Sequence, residues 1–220
     1  MKTPLLEEIA LELGKRTFPW EEAWNATLKD SPTEAWGPGK IGTMYGRLAE
    51  VGIQLNLQQL ASSLPGVQVV DFPPQVTTNN YRFQRARDGR VLVYHREGPR
   101  DPLMDLDAVF LAGELPVLAE VKLGSGKTTA GASRKGGRGI SSARLSYHLN
   151  PERIAAVLSP LEEYFNSKYC GCLVVVPPEN IRPNSPIQQE FMANGGILVP
   201  FYYSRQSYQQ KIAELVAAKK

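Results

Sequence analysis

Cysteine and histidine are scarce, with two of each in a chain of 220 residues. Cys170 and Cys172 form a C-x-C pair inside the apolar run 170–176. Two thiols can build neither a disulfide framework nor a four-thiolate cluster within one chain, and their setting points to buried packing. His95 and His148 are the only imidazoles. No nucleophile-elbow motif accompanies them, so Ser/His/Asp chemistry has little support. No apolar run approaches the roughly 20 residues that cross a bilayer. The first residues carry Glu7 and Glu8 where a signal peptide would be apolar. The chain therefore reads as soluble and cytoplasmic, with no membrane partner. An internal repeat is also missing. A strong charge imbalance is missing too: the net charge is +3 and the pI near 8.8. These values are too mild to diagnose a nucleic-acid binder, so the placement of the charges matters more than their sum.

What is present suits one globular domain with a segment appended at one end. Hydrophobic residues make up 42% and charged residues 21%, and a chain of this length can bury a core. Residues 1–40 read as an N-terminal helical extension. Leu5, Ile9 and Leu13 recur at helical spacing, and the three tryptophans, Trp20, Trp24 and Trp36, follow. The spacing of Ile41, Met44, Tyr45, Leu48 and Leu55 predicts a first core helix over 41–64, closed by Pro65-Gly66. Strand patterns follow at 67–72, 81–87 and 90–95, the last two joined by the turn signal Asp88-Gly89. Two more, 104–112 and 115–123, flank Gly113-Glu114 as a hairpin. Asn150-Pro151 opens a helix to about 168, which Ser159-Pro160 is expected to kink or split. Then come a buried strand at 170–176, a helix from Ser185-Pro186 to Ala193, a strand at 197–203 and a terminal helix over 206–220. This order predicts an α/β (α+β) fold, with a central mixed β-sheet flanked by helices.

Chemistry is signalled by two lines, Met104-Asp105-Leu106-Asp107-Ala108-Val109-Phe110 and Leu118-Ala119-Glu120-Val121-Lys122. A charge inside an apolar strand demands explanation, because burying it alone costs several kcal/mol. Glu120 and Lys122 are two apart and share a strand face. If the two strands pair, Asp107 comes beside Glu120. Two such carboxylates repel each other and favour a divalent cation between them, and hard oxygen ligands suit Mg2+ or Mn2+. A cation held there would polarise a phosphate and activate a water, while Lys122 would orient or deprotonate that water and offset developing charge.

An aspartate, a short hairpin and then Glu-x-Lys resembles the signature of the PD-(D/E)XK nuclease superfamily, which includes restriction endonucleases and archaeal Holliday-junction resolvases. Asp105-Leu106-Asp107 ahead of Glu120-Val121-Lys122 is similar to members with a second acidic residue beside the catalytic aspartate. The resemblance implies a restriction endonuclease-like core over 41–220: a helix, an antiparallel three-stranded meander, a helix and a further strand. It implies Asp107 and Glu120 as metal ligands, Lys122 as the catalytic lysine, and Mg2+ or Mn2+ as cofactor. Many members place a glutamate on the first core helix near the metal, and Glu50 is its counterpart here, facing either the site or solvent. The implied activity is a Mg2+-dependent (endo)deoxyribonuclease, with endo- and exonucleolytic cutting both open, DNA as the expected nucleic acid and a homodimer as one assembly the resemblance allows. Asp105 is expected to be a neighbouring carboxylate and not the primary ligand.

Charge placement supports a nucleic-acid partner. From Val121 to Pro151 there is no acidic residue, while Lys127, Arg134, Lys135, Arg138 and Arg144 follow Lys122 among Gly, Ser and Thr. Such a basic loop suits phosphate-backbone contact. Tyr147 and His148 come next and can stack or donate. Two alternatives stay open. Gly124-Ser125-Gly126-Lys127-Thr128-Thr129 resembles the end of a phosphate-binding P-loop of an NTPase, although Val121 stands where that motif needs its first glycine and glycines break the following segment. The other is a non-cleaving nucleic-acid-binding module of the same fold.

Overall fold

The computed structural model describes residues 2–30, 38–87, 89–98, 101–122, 145, 147–201, 210, 214 and 217, with backbone alone at 30 and 38–45. Three helices come first: α1 (Pro4–Lys15), α2 (Trp20–Asp30) and α3 (Pro38–Ser63). Seven strands follow: β1 (Val67–Val69), β2 (Gln75–Thr77), β3 (Tyr81–Arg85), β4 (Val91–His95), β5 (Met104–Leu106), β6 (Ala108–Ala112) and β7 (Leu115–Val121). Then come α4 (Pro151–Tyr164), β8 (Gly171–Val176), α5 (Pro186–Ala193) and β9 (Ile197–Pro200).

Local chemistry accounts for the helix ends. The Thr3 hydroxyl accepts the Leu6 N–H at 3.2 Å, Pro4 occupies the first turn, and Lys15 lies in the last turn of α1. Asn150 caps α4 through the Glu152 and Arg153 N–H groups. Pro160 lies inside α4 and does not split it. It lacks the N–H that a helix interior uses, but it is buried together with Leu158 and Leu161. Burial on more than one side of this turn holds the helix through the proline.

The central sheet has five strands in the order β1-β6-β7-β8-β9. β1, β6 and β7 are antiparallel, and β8 and β9 add in parallel to β7. Alternate residues of β7 serve two cores. Val117, Ala119 and Val121 pack with α1, α2 and α3, whereas Leu118 packs with Leu158 and Leu161 of α4 and Phe191 of α5. With both faces covered, β8 is buried along its whole length, as its continuous apolar run requires. The first two helices are part of this packing: Leu6, Ile9, Leu13 and Trp24 lie in one cluster with Leu57 of α3 and Phe110 of β6.

A second sheet, antiparallel and four-stranded in the order β2-β3-β4-β5, lies between β1 and β6 in sequence. Its Phe83 and Val93 join the cluster beneath α4. Here the sequence expectation needs correction: 104–112 is not one strand. Leu106 pairs with Val91 in the four-stranded sheet, while Ala108 pairs with Ala119 in the five-stranded one. Asp107 lies between the two ladders. The apolar alternation of the segment carries no mark of which partner each half takes. β2, following Pro73-Pro74, was not expected. Of the terminal helix expected over 206–220, residues 210, 214 and 217 are helical, and the remainder lie outside the described residues.

Gly52 shows how the N-terminal segment is fastened. A Cβ at this position would overlap the Phe18 ring. That ring is held in turn by Trp20, with centroids 4.3 Å apart, and by Phe201, at 6.2 Å. Gly52→Ala is expected to destabilise the fold by about 1–3 kcal/mol through overpacking. At about 2–4 °C per kcal/mol for a chain of this size, a thermal melt reads the loss directly. An unchanged melting temperature would mean that the Phe18 contact does not fasten the segment.

Candidate functional site

The β6–β7 hairpin turns at Gly113, whose φ of 64° suits glycine. Its ladder ends with Ala108 opposite Ala119, so the next step along both strands sets Asp107 beside Glu120. Strand alternation aims Glu120 and Lys122 to the face of β7 that Leu118 shares, toward α4. The Lys122 ammonium lies 2.5 Å from Glu120 Oε2 and 3.7 Å from Asp107 Oδ2. Backbone contacts hold both partners in place. Asp107 Oδ2 accepts the Val121 N–H at 2.7 Å, and the Lys122 N–H donates to the Val175 carbonyl at 2.8 Å. Gln54 of α3 donates its side-chain amide to the Asp107 carbonyl, which lies outside both ladders.

Asp107 is only 5% exposed. Burial holds its pKa well above the ordinary carboxylate range, and the charges of Glu120 and Glu50 add to the effect; Lys122 and the Val121 N–H oppose it. Glu50, four residues before Gln54 on α3, is also raised by burial, against the pull of Arg47 at 3.1 Å. Of the two orientations left open for Glu50, the structure takes the inward one, with 17% of the side chain exposed. Burial alone would lower the pKa of Lys122. The charges of Asp107 and Glu120, and the hydrogen bond to Glu120, reverse this and raise it above its ordinary value. Asp105 is the outer member of the group. It pairs with Arg90 at 3.1 Å on the second sheet, and its charge reaches both Glu50 and Lys122.

A cleft of about 180 Å³ opens beside these residues. Asp105, Glu120 and Lys122 line one part, His148 and Arg153 another, with Met104, Ile154 and Val157 among the apolar walls. Arg153 donates to the Tyr147 hydroxyl at 2.8 Å and stands 4.4 Å from its ring centroid. Cys170 and Cys172 are buried free thiols in the core beneath the sheet. Burial pushes the Cys170 thiol up to about 12 and also raises that of Cys172.

The structure thus brings together Asp107, Glu120 and Lys122, with Glu50 close enough to act on Asp107. Lys127, Arg134, Lys135, Arg138 and Arg144, and the glycine-rich stretch 124–129, lie outside the described residues. Three supporting residues escaped the sequence reading: Gln54, Arg47 and Arg153. Gln54 and Arg47 share a helical face with Glu50 at spacings of four and three, a signal visible only once Glu50 is placed. Among the described residues no helix is long and apolar enough to cross a membrane. Comparison of the chain with family models, with curated proteins and with solved structures gives no match.

The donor set can be tested against a metal. Among the described residues no group of three or more His, Cys, Asp or Glu side chains is assembled as a cage. Mg2+ does not require one, since it is commonly held by one or two carboxylates while water and substrate phosphate complete its shell. Asp107 and Glu120 supply such a pair. The raised pKa of Asp107 shows that Lys122 alone does not offset the buried negative charge. The residues fit a hard divalent cation.

A carboxyl group whose pKa is raised by folding stabilises the fold below its ordinary pKa, and that contribution is lost as pH rises through the raised value. Asp107 and Glu50 both have this sign. Asp107→Asn is therefore expected to raise the melting temperature of the metal-free protein at neutral pH, by about 2–4 °C for each kcal/mol relieved. The gap should close toward acid pH, where the wild-type carboxyl takes up a proton. Melting curves across that range check this, and a lower melting temperature for the variant at neutral pH would show that the Lys122 contact outweighs the cost of burial.

Proposed function

We propose that the chain is a divalent-metal-dependent nuclease that hydrolyses phosphodiester bonds, with DNA as the expected substrate. The observation that carries this reading is the convergence of Asp107, Glu120 and Lys122, with Glu120 and Lys122 lining an open cleft and the aspartate buried behind them. Support also comes from the element order. A helix, three antiparallel strands, a helix and a parallel strand, here α3, β1-β6-β7, α4 and β8, is the order implied by the PD-(D/E)XK resemblance. Phosphodiesters are anions, and clefts lined by carboxylates alone repel them, so catalysis needs cationic charge at the point of reaction. Lys122 provides one such charge.

Asp107 and Glu120 would hold the metal, which when bound supplies Lewis acidity toward the phosphate and a lowered pKa for its water. In the hydrolysis, the oxygen of water bonds to phosphorus as one of its O–H bonds breaks, the ester P–O bond breaks, and the leaving sugar oxygen takes up one proton for the one the water gives to solvent. Lys122 Nζ orients the attacking water and offsets charge gathering on the phosphate oxygens. Glu120 positions that ammonium through its short contact. Gln54 and the Val121 N–H hold Asp107 in register with Glu120, which keeps the carboxylates convergent before substrate arrives. Glu50 adds negative charge behind Asp107, strengthening the demand for a cation.

The test is cleavage of labelled DNA and RNA substrates, linear, single-stranded and branched, in Mg2+, Mn2+ or EDTA. Wild type is expected to cut with either metal and not in EDTA. Glu120→Ala and Lys122→Ala are each expected to lose at least about 100–1,000-fold in kcat, the scale of removing one electrostatic group from a transition state. Variants that cut as well as wild type would remove these residues from the chemistry. Binding without cutting by wild type would favour a non-cleaving module.

A further inference from the structure

The cleft beside Glu120 has a second character that phosphate chemistry leaves unexplained. Beyond its charged residues, it is walled by Leu103, Met104, Ile154, Val157 and Val174. A sugar-phosphate backbone is polar along its length and gains little from such walls. A nucleobase has two apolar faces and a polar edge, and it matches a slot with apolar sides and donors at the rim. At about 180 Å³, the cleft is smaller than the roughly 300–1,000 Å³ of pockets that enclose drug-sized ligands. It suits one ring system and not a stacked pair.

A separate observation points to the same ligand. Tyr147 is 60% exposed, an unusual setting for a large aromatic. Arg153, a lining residue of the cleft, both bonds the Tyr147 hydroxyl and stands over one face of that ring. His148 meets the same ring edge-on, with centroids 5.6 Å apart. An exposed aromatic ring in contact with two lining residues of a base-sized slot offers a stacking platform for an adjacent base.

We propose that the cleft receives one unstacked base of the substrate, with Tyr147 stacking against a neighbouring base. The preferred substrate class is then single-stranded nucleic acid, including frayed ends and flaps, in preference to intact duplex. In a duplex both faces of each base are already covered by its neighbours, and opening that stack costs free energy that a single strand does not spend. The inference rests on the nuclease reading for the identity of the ligand, while its geometry is independent of whether cutting occurs.

The experiment measures binding by fluorescence anisotropy, with Ca2+ in place of Mg2+ to hold off cleavage. The probes are labelled oligothymidylate, oligouridylate, an oligothymidylate carrying abasic sites, and the paired duplex. Single strands with bases are expected to bind at least about 10-fold more tightly than the duplex or the abasic strand. The two base-bearing strands distinguish DNA from RNA. Tyr147→Ala removes the platform at an exposed position, and Val157→Trp fills the slot. Each is expected to weaken single-strand binding by about 5- to 100-fold, the scale of losing one base–aromatic stack. A melting curve checks that Val157→Trp folds, and Tyr147→Ala carries the test if it does not. Equal binding of all four probes, binding of none, or unchanged binding by Tyr147→Ala would overturn the proposal. Single-strand preference in a protein that cuts nothing in Mg2+ would support the slot and refute the nuclease reading. Cutting with no such preference would do the reverse.

Discussion

Asp107 is a carboxylate almost without water, placed at the one-residue junction where the chain leaves β5 of the four-stranded sheet and enters β6 of the five-stranded one. A buried charge of this kind survives only where compensation is built around it. Here that compensation comes from one ammonium, one backbone N–H and a neighbouring amide that secures the carbonyl. Around this point the architecture falls into place. β7 must run beside β6 to bring Glu120 and Lys122 across, β8 must receive the Lys122 N–H, and α3 must lie close enough for Gln54 and Glu50 to reach. Compensation remains incomplete: burial first, and then the charges of Glu120 and Glu50, hold the Asp107 pKa well above the ordinary carboxylate range. Residues that serve a cation bind it at some cost to the unliganded fold, the familiar trade between stability and function.

The two faces of the central sheet divide the work. One face is closed by α1, α2 and α3 over an apolar cluster. The other carries α4, α5 and part of the second sheet, and there the strand alternation that buries Leu118 brings out Glu120 and Lys122 toward the cleft. A seven-residue strand with strict period two can anchor one core on each face, and the face that buries Leu118 also presents Glu120 farther along. The second sheet contributes Asp105 and Met104 to the cleft from β5, so the change of sheet at Asp107 sets two walls of the site from one segment.

Much of this was legible in the sequence because it rests on short-range rules. Glu120-x-Lys122 shares a face by strand period alone, and Gly113 fixes the hairpin that sets Asp107 beside them. Helix starts at Asn150-Pro151 and Ser185-Pro186 followed from the preference for proline in a first turn, with a side-chain cap added at Asn150. The parts that were not legible depend on long-range choices. Whether 104–106 pairs with β4 or continues with β7 is decided by which partner buries Leu106, and local alternation is the same in either case. Pro160 reads as a break, but burial on more than one side of its turn holds it inside α4. Gln54, Arg47 and Arg153 reach the site from helices distant in sequence, and an exposed glutamine or arginine pattern does not reveal what it will meet.

The claim on which the account depends is that Asp107 and Glu120 together form the seat of a divalent cation. Calorimetric titration of Mn2+ into the wild-type chain, Asp107→Asn and Glu120→Gln addresses it without requiring a substrate. Saturable uptake by wild type, weakened in both variants by at least the roughly 10–100-fold that loss of a supporting partner costs at metal sites, is the predicted result. Absence of uptake by wild type, or equal uptake by all three proteins, would contradict it.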